Sequence, residues 1–451
     1  MTMRYITAGK ILSFDEMIDK TTVYVDKTQA VCLMASQEDD ILLTRPRRMG
    51  KSTLLSTLEY LFSKGTVGTE GLYCHEHWPE PNRYFVFHFD WSKCVPSSVE
   101  QFEHKVGLYL NEYASYFGIT IPQNESVAYR LECLIELCLT KLKDEAFLAA
   151  HPELKEGDRP FCSDRVVLLI DEYDAPLSRN LDNPELFEQL LPIYTDIFAT
   201  IKSLPCFRTV FITGVCSFYR ESIFSIANQF IDISLDSDYA TCCGYTREEI
   251  EHYFAPELKR AQEVTNLSHD ELIKAMSYFY DGYSFSEKPE EQTRVFSPVS
   301  VSLFLRDPEE GFNNYWSNTG SQSSFTLKLF KKCNQYIARS FLRDLYQYSS
   351  HPRIEIDASL EDVIASLFPV FSLAVDLPEQ LRSNVSLIKT SLHSLYIDHR
   401  YIKEPSLNNA VAILFQGGYL SIKEVLYNDA YLGLANHEVA YSLATFLIGE
   451  L

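Results

Sequence analysis

The chain has 451 residues, of which 46% are hydrophobic, so it can form about two to four domains with real cores. Forty Lys and Arg against sixty-two Asp and Glu give a net charge of −22, which excludes a general nucleic-acid coat protein and disfavours DNA as a partner. Eleven cysteines without CxxC spacing favour a reducing, cytoplasmic setting. Apolar runs such as Val166 to Ile170 are too short to cross a membrane.

The first predicted unit is a strand, a loop and a helix. Residues 41–44 form a short apolar run that breaks at Arg45-Pro46 and leads through Gly50-Lys51-Ser52 into a helical pattern. A second strand is predicted at 84–89, and two helices follow at about 100–117 and 126–148.

Three more strands follow, separated by helical sequence. Val166 to Ile170 reads as a fully buried strand, a helix is predicted at about 185–203, and further strands are predicted at 209–212 and 230–235. Five strands that alternate with helices predict an α/β fold with a parallel sheet covered on both faces.

After Gly244 the pattern becomes helical, and Thr246 to Glu249 resembles a capping box. Near the end, a helix at 407–414 precedes two short strands at 419–422 and 430–434, which predicts a winged-helix-like unit. We therefore predict three domains: an α/β domain at 1–243, a helical lid at 244–330 and a helical, winged-helix-like domain at 331–451.

The loop between the first strand and its helix has the features of a phosphate loop. The pattern GxxxxGK[ST] requires glycine where this chain has Arg45, but Gly50-Lys51-Ser52 is retained. Lys51 is expected to contact the β and γ phosphates, and the Ser52 hydroxyl to bind Mg²⁺. An ordinary basic loop before a helix is the alternative. The predicted nucleotide contacts in the loop are Arg47, Arg48, Met49, Gly50, Lys51, Ser52 and Thr53.

A second feature strengthens the nucleotide-site hypothesis. Asp171 and Glu172 end the apolar strand, and ligand sites in open α/β sheets lie at the carboxyl ends of strands. Asp171 is a candidate Mg²⁺ ligand, and Glu172 a candidate base for the water that attacks the γ-phosphate. The alternative is a helix cap with a surface acid pair.

Two further candidates follow the next strand. Thr213 is placed to hydrogen-bond the attacking water or the γ-phosphate, although a plain strand-end threonine is an equal alternative. Arg220 is a candidate for stabilising transition-state charge. Arg47 and Arg48 compete for that role, and a solvated surface arginine is the simpler interpretation.

Other patterns carry less weight. Cys74-His75-Glu76-His77 has too few ligands for a metal site and favours a surface loop. Residues 153–155 and 257–259 match half of a nuclease ExK motif, but neither lies on a predicted strand, so we reject them.

The chain resembles the bacterial AAA-ATPase-like family, whose members often carry a C-terminal nuclease-like domain of the PD-(D/E)xK type. The resemblance lies in the segments Tyr24–Thr28, Arg45–Ser52, Leu169–Asp174, Ile212–Val215, Ile223–Ser225, Cys243–Thr246, Tyr280–Ser286, Tyr315–Ser321 and Gly418–Ile422.

This resemblance makes Arg45 a family feature and implies a five-stranded P-loop NTPase sheet of the additional-strand type. In such a sheet the strand that ends at Thr213 lies between the phosphate-loop strand and the acidic strand. The resemblance also implies ATP and Mg²⁺ as ligands and places Tyr24 and Asp26 near the adenine. Ser217 departs from the family, where lysine is common.

The chain also ends where the nuclease-like domain would begin, so we expect no nuclease activity from these residues. We interpret it either as a natural short form or as a chain cut before that domain.

Three functions remain open at this point. The first is slow ATP hydrolysis that drives a conformational switch, coupled to a nuclease-like domain or to nucleic-acid processing or defence. The second is a non-hydrolysing scaffold that senses ATP or ADP and docks a protein partner. The third is a small-molecule kinase, for which no acceptor pocket is evident. Expected partners are ATP or ADP and either another protein or a second copy of the chain.

Overall fold

A five-stranded sheet forms the centre of the computed structural model, which describes residues 6, 12–19, 22–181, 183–218, 229–318, 388–397, 407–439 and 442. Its strands pair in the order β2-β3-β4-β1-β5, and every pairing is parallel. The predicted α/β sheet is confirmed, with β4 between β1 and β3. The strands are β1 Asp40–Thr44, β2 Arg83–Asp90, β3 Phe161–Asp171, β4 Phe207–Gly214 and β5 Phe230–Asp232.

The bounds of the strands differ from the prediction, and β3 and β5 show why. β3 begins at Phe161 rather than Val166, because its first residues pair with β2. β5 ends at Asp232, since the chain then turns into a short 3-10 helix capped by the Asp236 side chain. Pairing with β2, which local composition does not reveal, thus sets the start of β3, and the turn toward the 3-10 helix sets the end of β5.

Alternate residues of each strand face opposite cores. Leu42 and Leu168 pack in one hydrophobic cluster, while Leu43 and Leu169 pack in the other. Because side chains alternate along a strand, an uninterrupted apolar run buries both faces of the sheet.

Helices cover both faces. α2 and α3 lie on the face of Leu43, and α5, α6 and α9 lie on the face of Leu168. The predicted helix 126–148 is two helices, α6 and α7, because the Asp144 side chain caps a new start. The helices of this part are α1 Phe14–Met17, α2 Thr28–Ala35, α3 Lys51–Lys64, α4 Cys74–His77, α5 Val99–Tyr116, α6 Val127–Lys141, α7 Glu145–Ala150, α8 Ala175–Ser178 and α9 Pro184–Ser203.

The region after Gly244 is helical, as predicted. Thr246 and Glu249 form the expected capping box, in which each side chain accepts a hydrogen bond from the other residue's backbone. We call residues 244–318 the lid region. It contains α10 Arg247–Tyr253, α11 Ala255–Thr265, α12 His269–Tyr280, β6 Tyr283–Ser284, β7 Arg294–Val295, α13 Pro298–Arg306 and α14 Tyr315–Asn318.

Residues 388–397 and 407–439 form what we call the C-terminal unit. Its elements are β8 Ile388–Ser391, α15 Leu407–Gln416, β9 Leu420–Leu426 and β10 Asp429–Leu434. The predicted helix and hairpin are both present, and β10 lies between β8 and β9 in an antiparallel sheet. Whether the unit acts as a winged helix stays a prediction.

The C-terminal unit packs against the phosphate-loop side of the sheet. Leu414 and Ile422 share a hydrophobic cluster with Leu43 of β1. Gly418 has φ +81°, and a Cβ there would lie 2.9 Å from Pro46, so only glycine allows this approach without displacement. One cluster thus joins segments from all three predicted domains, whose boundaries stay predictions.

None of the helices in the described ranges is long and apolar enough to cross a membrane. The ten cysteines within those ranges are free thiols, as the spacing indicated.

A buried ion pair ties β4 to the segment before β2. The Arg208 guanidinium donates to the Glu80 carboxylate and to the backbone carbonyls of Ala35 and Gln37. Both side chains are more than 90% buried. Removing one partner of such a pair leaves a buried charge without compensation.

Replacing Arg208 by alanine is therefore expected to lower the free energy of unfolding by about 3–5 kcal/mol. The control is Arg247→Ala, which breaks the more exposed pair between Arg247 and Glu251 and is expected to cost less than about 1 kcal/mol. Urea unfolding followed by circular dichroism measures both losses. Equal losses in the two variants would contradict the importance of burial.

A second buried acid lies where the lid region meets the chain after β10. Glu438 accepts hydrogen bonds from the Ser300 hydroxyl and from the Trp316 backbone N–H. Burial raises the pKa of Glu438 from its ordinary 4.5 to about 8. Glu438 therefore keeps its proton in the folded protein at pH values where the unfolded chain has lost it.

The stability of the wild type is expected to fall between about pH 5 and pH 7, by up to about 1.4 kcal/mol per pH unit, relative to Glu438→Gln. Over this range the unfolded state releases the Glu438 proton and the folded state does not. Burial lowers the pKa of Lys423 to about 7, so that group contributes mainly at higher pH. Thermal unfolding of both proteins at several pH values tests this, and parallel curves would refute it.

Candidate functional site

The phosphate loop leaves β1 and ends at the start of α3. Arg48 and Gly50 both have positive φ, at 66° and 107°. Gly50 is the N-cap of α3 and has no side chain to satisfy the first N–H groups of this fourteen-residue helix. A Cβ on Gly50 would meet nothing within 4 Å. The positive end of α3 is thus open to an anion.

Lys51 lies within the loop. Its Nζ donates to the carbonyl oxygens of Arg45, at 2.9 Å, and Pro46, at 3.1 Å. An ammonium group has three hydrogens, so one remains after these two bonds. The loop therefore positions a buried positive charge beside the start of α3. A phosphate oxygen there can accept a hydrogen bond from the remaining N–H of Lys51.

The two predicted motifs meet at Ser52. Its hydroxyl donates to Oδ2 of Asp171 across 2.7 Å, although β4 separates the strands from which the two residues follow. A hydroxyl and a carboxylate are oxygen ligands of the kind that Mg²⁺ prefers. The structure thus brings together the two predicted metal ligands.

Glu172 has an unusual backbone conformation. Its φ is 49°, and its N–H donates to Oδ1 of Asp171 at 2.9 Å. Oε2 of Glu172 lies 3.4 Å from Nη2 of Arg179. Burial raises the pKa of Glu172, while the positive charge of Lys51 opposes that shift. A non-glycine residue in the left-handed region is uncommon, and such residues cluster at functional sites.

The turn that holds Glu172 is supported from β4. The carboxylate of Asp174 accepts hydrogen bonds from the N–H groups of Val215 and Cys216, both at 2.9 Å. A Cβ on Gly214 would lie 2.2 Å from Oδ1 of Asp174, so this approach requires glycine. The end of β4 and the acidic turn after β3 therefore hold each other in place.

A cavity of about 340 Å³ opens in front of the loop. Its volume lies at the lower end of the roughly 300–1,000 Å³ range of small-molecule sites. Four parts of the chain surround it: the loop with the start of α3, the segment before α2, the turn after β3 with the end of α8, and the residues around the start of the lid region. Among the residues lining it are Val23, Tyr24, Lys27, Arg47, Arg48, Met49, Gly50, Lys51, Ser52, Thr53, Glu172, Arg179, Cys242, Cys243, Gly244 and Tyr245.

All seven predicted loop contacts line this cavity, and so does Tyr24. Burial raises the pKa of Tyr24 well above its ordinary value, so its phenol is neutral. Asp26 has another role. Its carboxylate accepts hydrogen bonds from the backbone of Thr28 and Tyr73, and it does not line the cavity. The contact between Asp26 and a nucleotide stays a prediction.

The structure describes Thr213 but not Arg220. Thr213 is fully buried at the end of β4, and its hydroxyl donates to the carbonyl of Leu43 at 2.9 Å. It does not line the cavity, so its contact with water or phosphate stays a prediction. Arg220 lies outside the described residues.

Sequence reasoning missed the role of Arg45. Its buried guanidinium donates to the carbonyls of Thr44, Ser234 and Tyr239, and it lies 4.5 Å from the centre of the Phe285 ring. Arginine thus replaces the usual glycine because its side chain joins the loop to the segment after β5. The motif indicated only a departure from the pattern, and no local signal showed these partners.

Contacts between the site and the lid region were also not predicted. The N–H of Gly244 donates to the carbonyl of Met49 in the loop at 2.8 Å. The ammonium of Lys27 donates to Glu249 at 2.6 Å and to the carbonyl of Thr241 at 2.8 Å. The cavity wall is thus bonded directly to the start of α10.

The C-terminal unit meets the end of β4 through Gln416. The Ser217 N–H donates to Oε1 of Gln416, and Nε2 of Gln416 donates back to the Ser217 carbonyl, both at 3.0 Å. Nε2 also donates to the carbonyl of Leu395. Ser217, where the family commonly has lysine, is thus held here by its backbone and is buried.

The rejected motifs do not assemble into a metal site. Cys74–His77 is a short helix rather than the expected loop, and His77 bonds to the Tyr73 carbonyl. Across the described ranges, no group of three or more His, Cys, Asp or Glu side chains could hold a metal ion. Residues 153–155 and 257–259 lie in helices, so neither presents the strand that an ExK site requires.

Comparisons with known proteins found one curated relative, described as an uncharacterized protein in the vnfD 5′ region of Azotobacter chroococcum mcd 1. It is 32% identical over 301 residues, which cover 66% of this chain and 51% of the relative. The chain thus spans about half the length of the curated relative it matches.

Two solved structures align with most of the chain at low similarity. A Walker-type ATPase of Pyrococcus abyssi aligns over 94% of this chain and 97% of its own, with 11% identity and a TM-score of 0.39. The ORC2 protein of Aeropyrum pernix, in ADPNP–ADP complexes, aligns over 96% of each chain, with 12% identity and a TM-score of 0.29.

The residues that match a family model include the candidate site. Residues 9–224 match the family model described as predicted AAA-ATPase. That stretch includes the phosphate loop, the acidic turn after β3 and the end of β4. The match and the geometry together identify a P-loop nucleotide-binding protein whose residues 9–224 are similar to the predicted AAA-ATPase family.

Proposed function

We propose that the protein binds ATP with Mg²⁺, hydrolyses it slowly, and uses the nucleotide state to reposition its lid region and C-terminal unit. The observation that carries this proposal is the hydrogen bond between Ser52 and Asp171 at the open end of α3. It joins the phosphate-binding loop to the acidic turn that contains Glu172. A loop of this kind without an adjacent acid would support binding alone.

Each residue has a role that follows from its position. The N–H groups at the start of α3 and the ammonium of Lys51 bind the phosphates. Ser52 and Asp171 fit Mg²⁺, because both present oxygen atoms at one point beside the loop. When bound, Mg²⁺ would supply positive charge to the phosphate oxygens.

Glu172 is the proposed base. It lines the cavity with Lys51, and its backbone is fixed by the turn from Asp171 to Asp174. Its carboxylate would orient a water molecule toward the γ-phosphate and accept a proton from it. Arg47 and Arg48 line the same cavity and add positive charge near the phosphates.

The proposal predicts different defects for two variants. Lys51→Ala is expected to weaken ATP binding by about 100-fold or more, because it removes the buried charge of the loop. Glu172→Gln is expected to retain binding while phosphate release falls by about 10²- to 10⁴-fold. Calorimetry measures binding, and a phosphate-release assay measures turnover.

Matched controls come from an ion pair at the last residue of α3, the helix that begins at Lys51. Lys64 pairs with Glu156 on the surface at 3.1 Å, and Lys64→Ala and Glu156→Gln are expected to leave binding and turnover unchanged. If the wild type binds ATP but releases no phosphate, the scaffold hypothesis replaces hydrolysis. Phosphate found on an added metabolite would instead favour the kinase.

The switch role is proposed because the loop contacts both the lid region and the C-terminal unit. Met49 accepts a hydrogen bond from Gly244 at the start of the lid region. Pro46 packs against Gly418 of the C-terminal unit. A loop that rearranges around phosphates must therefore change contacts with both neighbours. The output would act on a protein partner, a second copy of the chain or a further domain.

ATP binding is expected to slow backbone hydrogen exchange in residues 242–253 and to change it in residues 415–420. The reason is that both segments contact the loop, so ordering of the loop is transmitted to them. Mass spectrometry of the wild type with and without ATP and Mg²⁺ measures the effect. Lys51→Ala should abolish it, and protection confined to the loop would argue against the switch.

A further inference from the structure

Arg179 lies at the edge of the candidate site and belongs to no motif in the sequence. It follows α8, and its Nη2 is 3.4 Å from Oε2 of Glu172. Both side chains line the cavity beside Lys51 and Ser52. The Arg179 side chain is 34% exposed and that of Glu172 is 23% exposed, so the pair faces the cavity rather than the core.

The backbone around Arg179 is anchored by hydrogen bonds. The Arg179 N–H donates to the Ala175 carbonyl, and the adjacent Asn180 side chain donates to the carbonyls of Pro96 and Pro176. These bonds anchor the end of α8. The guanidinium therefore extends into the cavity wall from an anchored backbone.

The charges around Glu172 favour competition for this guanidinium. The carboxylate interacts with the positive charges of Lys51 and Arg47 as well as with Arg179, and all three cations line the same cavity. A nucleotide whose terminal phosphate reaches Lys51 brings additional negative charge to the same place. Guanidinium groups bind phosphate in a bidentate manner, which a single contact at 3.4 Å to a carboxylate does not match.

We propose that Arg179 exchanges partners, pairing with Glu172 when the γ-phosphate is absent and with the γ-phosphate when ATP is bound. This inference rests on the proposed binding of ATP in the cavity. ADP has no γ-phosphate and leaves the Arg179–Glu172 pair intact. Arg179 thereby distinguishes ATP from ADP, and Glu172 is released to the attacking water only in the ATP state.

The test measures affinity rather than turnover. Titration calorimetry of the full chain with Mg²⁺ compares a non-hydrolysable ATP analogue, adenylyl imidodiphosphate, with ADP. Arg179→Ala is expected to raise the Kd of the analogue about five- to fifty-fold and to change the Kd of ADP less than about two-fold. Arg179→Lys keeps the charge and is expected to recover part of the loss, whereas Arg179→Gln is not.

The control is Arg260→Ala. Arg260 has the same 34% exposure and pairs with Glu309 at 2.7 Å in the lid region. It does not line the cavity, so neither Kd should change. A loss shared by this control would indicate a general effect of removing surface charge.

Glu172→Gln provides a second, independent readout. Without the competing carboxylate, the ratio of the ADP Kd to the analogue Kd is expected to rise several-fold. In the Arg179→Ala background, the same change should leave the ratio unaltered, because the competition no longer exists. Additive effects in this double-mutant cycle would overturn partner exchange.

The outcomes separate this inference from the proposed function. If Arg179→Ala weakens both nucleotides equally, or neither, partner exchange is wrong, while phosphate release by the wild type would still uphold hydrolysis. If the analogue responds to Arg179 but the wild type releases no phosphate, partner exchange stands and hydrolysis falls. If the wild type binds neither nucleotide, both are wrong.

Discussion

The hydrogen bond between Ser52 and Asp171 is the contact on which the site depends. The two residues follow β1 and β3, which are not neighbours but are separated by β4. Two strand spacings amount to about 10 Å, so the first turn of α3 must reach across the end of β4. That end carries Gly214, whose missing side chain leaves room for Asp174. The order of the strands and the small residue at the end of the middle one together allow the loop and the acidic turn to meet.

The parts of this arrangement that depend on local sequence could be predicted. Val166 to Ile170 is apolar at every position, as expected of a strand buried on both faces, and it ends at once in two acids. Gly50-Lys51-Ser52 stands at a strand-to-helix change, where unpaired N–H groups are unavoidable. The position of β4 between β1 and β3 came from family resemblance, because strand order depends on contacts that composition does not encode.

The parts that depend on distant partners could not be predicted. In the sequence, Arg45 is a departure from the glycine pattern and a feature shared with the family, and neither shows that its guanidinium bonds to carbonyls about 190 residues away along the chain. Asp26 has a residue type that suits a ligand contact, but its acceptors are used by Thr28 and by Tyr73. Arg179 has no motif at all. In each case the role follows from which donor or acceptor the fold places opposite the side chain.

The same long-range contacts determine how the loop can respond to a ligand. Arg45 is fixed by three carbonyl groups and a ring, so the start of the loop cannot move without breaking a buried network. Gly50 is fixed at the other end by α3, whose Leu54 N–H bonds to its carbonyl. Between these anchors lie residues 46–49, where Gly418 packs on Pro46 and Gly244 bonds to Met49. Under the proposed function, a change in the loop would reach the C-terminal unit through Pro46 and Gly418, and the lid region through Met49 and Gly244.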